Sequence, residues 1–263
     1  MLISSSATIA ASSIVEPGAL IGAHVVIGPF CIISASVQIG EGTIISPHVV
    51  INGNTKIGTK NQIGMGSSIG EISQDLKYAG EPSGLVIGDG NRIGCHTTLH
   101  RGTEQGGGMT RIGNLNVFER GVHIGHDCQV GNEVFMGEHS GLAGHVGVGD
   151  FSHIAALCAI HQYCVVGAGT RLLQRSGVVQ DVPPFVLAEG NHAQPKGINE
   201  QSAGYLGADA AQRAAIHHLY DLIYHQQAVK EQVMEETTRL CVEYPLLRHF
   251  SEFFLRSARG IIR

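Results

Sequence analysis

Residues 118–148 read FERGVHIGHDCQVGNEVFMGEHSGLAGHVGV, and within them Phe118, Ile124, Val130, Met136, Leu142 and Val148 fall six residues apart. Neither the 3.6-residue period of a helix nor the two-residue alternation of a half-buried strand produces this spacing. The same phase continues through Ile154, Ile160, Val166 and Leu172 to Val178, and backwards to Ile112. Across one break it resumes at Leu99, Ile93 and Ile87; across a second it runs from Ile69 down to Val15 and Ile9. The residue after the aliphatic is often glycine (Gly22, Gly28, Gly40, Gly125), and the one four after it is small or compact (Ala19, Val25, Cys31, Cys128).

Six residues suit a short flat strand and a corner, where glycine tolerates positive φ. Three such faces close a triangular coil of 18 residues, and coils stack at the ~4.8 Å strand spacing. The repeats would build a prism roughly 40 Å long. One aliphatic and one small residue per face fill its interior, and no coil is stable without its neighbours. The expectation is a mostly β chain: a parallel β-helix over 1–190 and a C-terminal α-helical domain over 191–263.

Composition agrees with a narrow interior. The chain has 36 glycines in 263 residues and no tryptophan, about twice the ~7% glycine of ordinary domains. Hydrophobic residues make up 43%, which excludes a disordered chain. A net charge of −5 argues against nucleic acid or a membrane surface as partner. No apolar run is long enough for a membrane span. The N-terminus lacks a basic start and a separate apolar run before a cleavage site, so a cytoplasmic location is expected. The six cysteines include no C-x-x-C pair, and Cys31, Cys128, Cys158 and Cys164 share the small interior position. They are expected to be buried free thiols.

Two insertions interrupt the repeat, at about 71–86 and about 105–111. The first offers Asp75, Lys77 and Tyr78 for ligand contact; the second is glycine-rich and expected to be mobile. Past Pro183-Pro184 helical spacing begins, with helices expected over 208–225, 227–242 and 245–258, the last opened by Pro245. Arg248, Arg256, Arg259 and Arg263 face Glu252 alone in the final segment, a local basic patch.

No phosphate-binding P-loop or dinucleotide fingerprint is present. Residues 66–70, GSSIG, satisfy the nucleophile-elbow pattern but sit inside an unbroken hexapeptide run, which excludes that reading. Histidine is the informative residue: eight of 15 fall between His96 and His161. An 18-residue coil stacks His126 beneath Gly144 and then Gln162, and Asp127 beneath His145 and then Tyr163, with His123 on the same corner. These positions are expected to face outward. Such a cluster could hold zinc, could supply a general base oriented by Asp127, or could decorate a glycine-rich corner without chemistry.

The repeat resembles the hexapeptide-repeat transferase superfamily, whose members form left-handed parallel β-helices. The segments GEISQDLKYAGEP, LHRGTEQGGG, VHIGHDCQVG, LAGHVGV, AIHQYCVVGA and QDVPPFVLAEGNHA are similar, over essentially the whole chain, to UDP-N-acetylglucosamine O-acyltransferases, the first enzymes of lipid A synthesis. That resemblance implies direct transfer of a 3-hydroxyacyl chain from acyl carrier protein to the 3-hydroxyl of UDP-N-acetylglucosamine. It assigns His126 as general base, Asp127 as its orienting partner and the Gly144 N–H as oxyanion donor. Asp75, Lys77, His123, His145, His161 and Gln162 match substrate-pocket positions, and Asn199 a nucleotide contact. It implies a homotrimer with sites between prisms, a carrier-protein contact on the C-terminal basic surface, and no metal or other cofactor.

The chain departs from the family at several positions. Gln174 stands where glycine is common in long-chain enzymes and would block the acyl groove, so a shorter donor is expected. Ser202–Leu206 (SAGYL) replaces a basic stretch, with Tyr205 and Leu206 where arginines bind phosphate, unless Lys196 substitutes. Arg120 and Glu138-His139 replace positions often held by asparagine. A low-activity or non-catalytic paralogue, and a zinc-dependent β-helix of the gamma-carbonic-anhydrase kind, remain the competing readings.

Overall fold

A computed structural model describes residues 3–263. Its backbone forms short strands, most of two residues, in three sheets of eleven, nine and eight strands. Each sheet is one face of a triangular prism. Along a face the partner lies 18 residues on, in parallel: Thr8 opposite Val26, Val26 opposite Ile44, Ile44 opposite Gln62. The phase-setting aliphatics point inward and are buried, among them Ile27, Ile33, Ile45, Ile51 and Ile124. The small interior positions are buried too, and where they are polar they are satisfied. Asn61 Oδ1 accepts from the backbone N and Nδ2 of Asn91, both at 2.9 Å. Asn91 Oδ1 does the same for Asn116 at 2.9 Å, and Asn116 Oδ1 accepts from Val134 N at 2.8 Å. All six cysteines are free; Cys31, Cys128, Cys158 and Cys164 are buried as their position implied, and burial pushes the Cys128 thiol up to about 12.

The glycines after the aliphatic have a different cause from the one the repeat suggested. Gly22, Gly40 and Gly64 do not adopt positive φ; a Cβ on any of them would come within 2.5–2.9 Å of backbone in the next coil. The left-handed residue lies two positions later, and it is often not glycine: His24 (φ 56°), His48 (60°), Asp127 (60°), His145 (61°), Tyr163 (66°). Histidine and aspartate tolerate this region better than branched residues do. Five histidines (His24, His48, His96, His139, His145) occupy such corners, so part of the histidine surplus answers a backbone requirement.

The insertions are also relocated. Partners are 30 residues apart across the first (Asn54 opposite Gly84, Gln62 opposite Arg92) and 25 across the second (Arg92 opposite Val117, Thr98 opposite His123). Strands Gly84–Ile87 and Met109–Ile112 already lie on the prism, with Leu85 and Thr110 in the small interior position, so the loops span 72–83 and 101–108 rather than 71–86 and 105–111. The second loop is not a loose tether. It folds into a 3₁₀ turn, Glu104–Gly106, in which the Thr103 hydroxyl accepts from Gly106 N and whose end is closed by Gly107 at φ 84°.

Strand Val186–Glu189 pairs with Arg171–Leu172 on the prism and then, antiparallel, with Gln194–Ile198. The boundary expected at 190/191 therefore falls inside a hairpin, and helices begin at Glu200. They are α1 (Glu200–Tyr205), α2 (Ala210–Tyr224), α3 (Lys230–Cys241) and α4 (Arg248–Arg256), the last preceded by a 3₁₀ turn at Pro245–Leu247. Helix α1 carries no apolar periodicity and was not expected. A second core of Phe185, Ile216, Leu219, Leu247, Phe250 and Phe254 binds α2–α4 to the end of the prism. No helix among the described residues is long and apolar enough to cross a membrane.

Asp181 clasps the tail to the prism. It is fully buried; Oδ1 accepts from Val165 N at 2.8 Å, while Oδ2 accepts from Ser257 Oγ, Ala258 N and Arg259 N at 2.8–3.0 Å. Asp181→Ala would leave three backbone N–H groups without an acceptor, that of buried Val165 and those of Ala258 and Arg259. An expected cost of about 2–4 kcal/mol follows, read as a lower unfolding temperature in a thermal melt; an unchanged melt would contradict the clasp.

Candidate active site

One corner column of the prism gathers the chemistry. Strands His123–Ile124, Gly141–Leu142 and Ala159–Ile160 stack in register, so the turns after them bring His126, Gly144 and Gln162 into line. Gln74 and Asp75 of the first insertion close over this column. The resulting cleft, about 430 Å³, is lined by Gln74, Asp75, His123, His126, Gly144 and Gln162 among others.

His126 and Asp127 are each only 4% exposed, which corrects the expectation that they face outward. The two insertions bury them. His126 Nδ1 lies 2.8 Å from Asp127 Oδ2. Asp127 in turn is held from three directions: Thr103 N donates to Oδ1 at 2.8 Å, Thr103 Oγ1 donates to Oδ2 at 2.6 Å, and Asp127 N donates to Thr110 Oγ1 at 2.8 Å. Gly106 packs so closely on the Asp127 carboxylate that a side chain there would overlap it. A buried carboxylate accepting from Nδ1 leaves Nε2 as the free, basic nitrogen. Nε2 faces the backbone of Gly144, where any Cβ would overlap the imidazole. The Gly144 N–H donates to no acceptor among the described residues.

His145 stands behind this pair. Its ring meets His126 edge-on at 4.9 Å and stacks on Tyr163 at 4.4 Å, with Nε2 3.7 Å from Asp127 Oδ2. Burial lowers its pKa, opposed by the Asp127 charge. His123 is fixed by Thr98 Oγ1 at 2.8 Å on Nδ1 and by Gln74 Nε2 at 3.0 Å on Nε2. Burial, reinforced by His100, lowers its pKa also. Donor atoms of Asp75, His126 and His145 lie within 4.8 Å of one another, a set that could coordinate a cation.

Other expected residues lie elsewhere. Lys77 donates its backbone N–H to Asp75 Oδ1 at 2.9 Å, which shapes the loop, but its side chain is exposed and does not line the cleft. His161 is exposed, its Nδ1 3.1 Å from Gln162 O. Asn199 lies in a second cleft, of about 540 Å³, on the face carrying Phe135, His153 and Arg171. There it caps α1 and donates to Gly169 O at 2.8 Å. Gln174 is exposed on the corner that also bears Arg120 and Glu138, ion-paired at 3.1 Å, so the departures at 120, 138 and 174 share one column. Of the basic tail, Arg259 donates to Val179 O and Arg263 to Ile223 O. Thr103 and Thr110, which lock Asp127, were not foreseen; only the fold brings them beneath it.

Residues 181–262 match the family model described as Udp N-acetylglucosamine O-acyltransferase, Domain 2, and residues 18–53 that of the bacterial transferase hexapeptide (six repeats). Among solved structures, LpxA from Acinetobacter baumannii is 36% identical over all of both chains, with a TM-score of 0.88. The UDP-N-acetylglucosamine O-acyltransferase of Moraxella catarrhalis is 37% identical, also over all of both chains, at 0.86. That of Bacteroides fragilis is 33% identical, covering 97% of this chain and 100% of its own, at 0.89. The prism is accordingly a left-handed parallel β-helix with a C-terminal helical region. Fold, repeat and full-length relatives agree, and the chain belongs to the UDP-N-acetylglucosamine O-acyltransferase family.

Proposed function

We propose that the protein transfers a 3-hydroxyacyl group from acyl carrier protein to the 3-hydroxyl of UDP-N-acetylglucosamine, the first step of lipid A synthesis. The observation that carries this reading is the His126 imidazole, tied at Nδ1 to a buried aspartate and presenting Nε2 to the Gly144 backbone in an open cleft. Nε2 takes the hydroxyl proton as the oxygen attacks the thioester carbonyl. The Gly144 N–H receives the charge that develops on the carbonyl oxygen. The thiolate leaves with the proton from His126, and Asp127 stabilises the transient imidazolium. The transfer is direct: the cleft is lined by no serine or cysteine, and Cys128, next to Asp127, is a core thiol held up at about 12. A metal on Asp75, His126 and His145 would occupy the base, which weighs against zinc chemistry here.

The relatives' activity as UDP-N-acetylglucosamine O-acyltransferases supports the acceptor. A homotrimer accounts for the two clefts lying on different faces of one prism, since neighbouring copies would bring one of each together. Exposed Ile14 and Ile32 on one face, and Val26 and Ile44 on the next, are apolar surface available for that packing. Arg248 and Arg256 of α4 offer cationic contact to an acidic carrier protein. The absence of a membrane-spanning helix among the described residues is compatible with a cytoplasmic site of action.

The test is acyl transfer from a panel of 3-hydroxyacyl carrier proteins to UDP-N-acetylglucosamine, with product identified by mass. No turnover with any donor would favour a non-catalytic paralogue. The same panel addresses donor length. Gln174 is expected to shorten the preferred chain, and Gln174→Gly to shift the profile toward longer donors by at least tenfold in relative kcat/KM, an effect of about 1.4 kcal/mol. A wild-type preference for long donors would sink this.

A further inference from the structure

The cleft beneath α1 holds a guanidinium that forms no ion pair among the described residues. Arg171 projects from strand Arg171–Leu172 and donates from Nη1 to Gln201 Oε1 at 2.8 Å, an uncharged partner. The carboxylate that lines the same cleft, Glu133, accepts instead from the Tyr205 hydroxyl at 2.8 Å. Residues 202–206, SAGYL, bring no cation of their own. A guanidinium in a concave, half-enclosed site is most stable against a planar or tetrahedral anion that it can grip through two N–H groups.

Two further polar atoms there lack partners. Ser202 is 7% exposed and its Oγ makes no hydrogen bond; His153 Nδ1 is likewise buried and unpaired. Buried donors and acceptors of this kind are costly unless a ligand or water completes them. Aromatic surface lies alongside: His153 stacks on Phe135 at 4.6 Å, and the Phe151 and Tyr205 rings approach to 6.1 Å. A guanidinium without an ion-pair partner, orphaned hydroxyl and imidazole nitrogen, and flat apolar walls in about 540 Å³ suit a heterocycle bearing phosphate.

We propose that Arg171 is the phosphate-recognising residue for the nucleotide half of the acceptor, with Ser202 as an auxiliary donor and Tyr205, tied to Glu133, as a wall of the base site. This rests on the acceptor reading above. It moves the cationic contact from the helix α1 segment, where Tyr205 and Leu206 stand, to a strand of the prism. Arg171 is a specificity residue, since it contacts the substrate's phosphate and not the reacting atoms.

Calorimetry with UDP and with uridine, on the full-length protein, separates the phosphate contribution from that of the base. Wild type is expected to bind UDP more tightly than uridine. Arg171→Met should weaken UDP by about tenfold to a hundredfold while leaving uridine unchanged, and Arg171→Lys should fall between. In turnover, Arg171→Met should raise the KM for UDP-N-acetylglucosamine by a similar factor, with kcat and donor KM within about twofold. Equal binding of UDP by wild type and Arg171→Met overturns the proposal. So does a parallel loss of uridine, which marks a purely structural role through Gln201 and α1. UDP bound through Arg171 by a protein that transfers no acyl group would refute the acceptor chemistry and leave this assignment standing; failure of wild type to bind UDP refutes both.

Discussion

Replacing His126 by alanine is expected to lower kcat for acyl transfer by about 10²–10⁴-fold, with the KM for the acceptor changed only a few-fold. The size follows from what the imidazole does. A neutral hydroxyl is a poor nucleophile toward a thioester, and its proton must leave as the new bond forms. His126 Nε2 is the basic nitrogen presented to the Gly144 backbone, and its opposite nitrogen is fixed by Asp127 at 2.8 Å. The substitution leaves the corner backbone intact, since His126 does not occupy the left-handed position; Asp127 does. A thermal melt should therefore stay close to wild type. A variant retaining more than a tenth of wild-type kcat would remove His126 from the role of base.

Gly144→Ala carries the second large effect, an expected loss of about 10²–10³ in kcat. Two causes act together. A methyl at this position overlaps the His126 ring, which must rotate and give up its bond to Asp127. The methyl also stands beside the N–H assigned to the oxyanion, crowding the place the carbonyl oxygen would take. Because the backbone at Gly144 does not adopt positive φ, the coil itself tolerates alanine, and the melt separates lost catalysis from lost fold. Wild-type kcat in Gly144→Ala would refute the oxyanion assignment.

Much of this was legible in the sequence because a repeat protein writes its geometry in one dimension. The interval from His126 to Gly144 is one coil, so their adjacency needs only the period, and the structure brings them together as that interval requires. The position of Asp75 over the column is not written in any period; it depends on how a loop folds back, and the insertion's residue mix and the family resemblance marked the residue without placing it. The burial of His126 and Asp127 was missed for the same reason. Outward-facing positions on a bare prism become interior once 72–83 and 101–108 close over them, with Thr103 completing the carboxylate's hydrogen bonds. The glycine rule was read in the wrong place because spacing between coils, unlike local φ, is invisible within a single hexapeptide. Asn199 was named from the resemblance, Lys77 from the residue mix of the first insertion as well, and in one chain they stand apart from His126.

The asparagine ladder in the core has a bearing on how such a chain finds its rungs. Isoleucine repeats are nearly interchangeable, so a growing stack could skip a coil and still bury its aliphatics. The two places most open to that mistake are those where a loop separates consecutive rungs. Asn61 to Asn91 spans one of them, and Asn91 to Asn116 spans the other. Asn61 Oδ1 and Asn91 Oδ1 each accept from the side-chain amide of the next rung, so a misplaced rung would strand polar groups in an apolar interior. The ladder works as an alignment key, penalising wrong neighbours more than it strengthens right ones, much as a single buried polar residue sets the pairing of a coiled coil. The loops that build the catalytic cleft are thus spliced in where the stack carries its own proofreading.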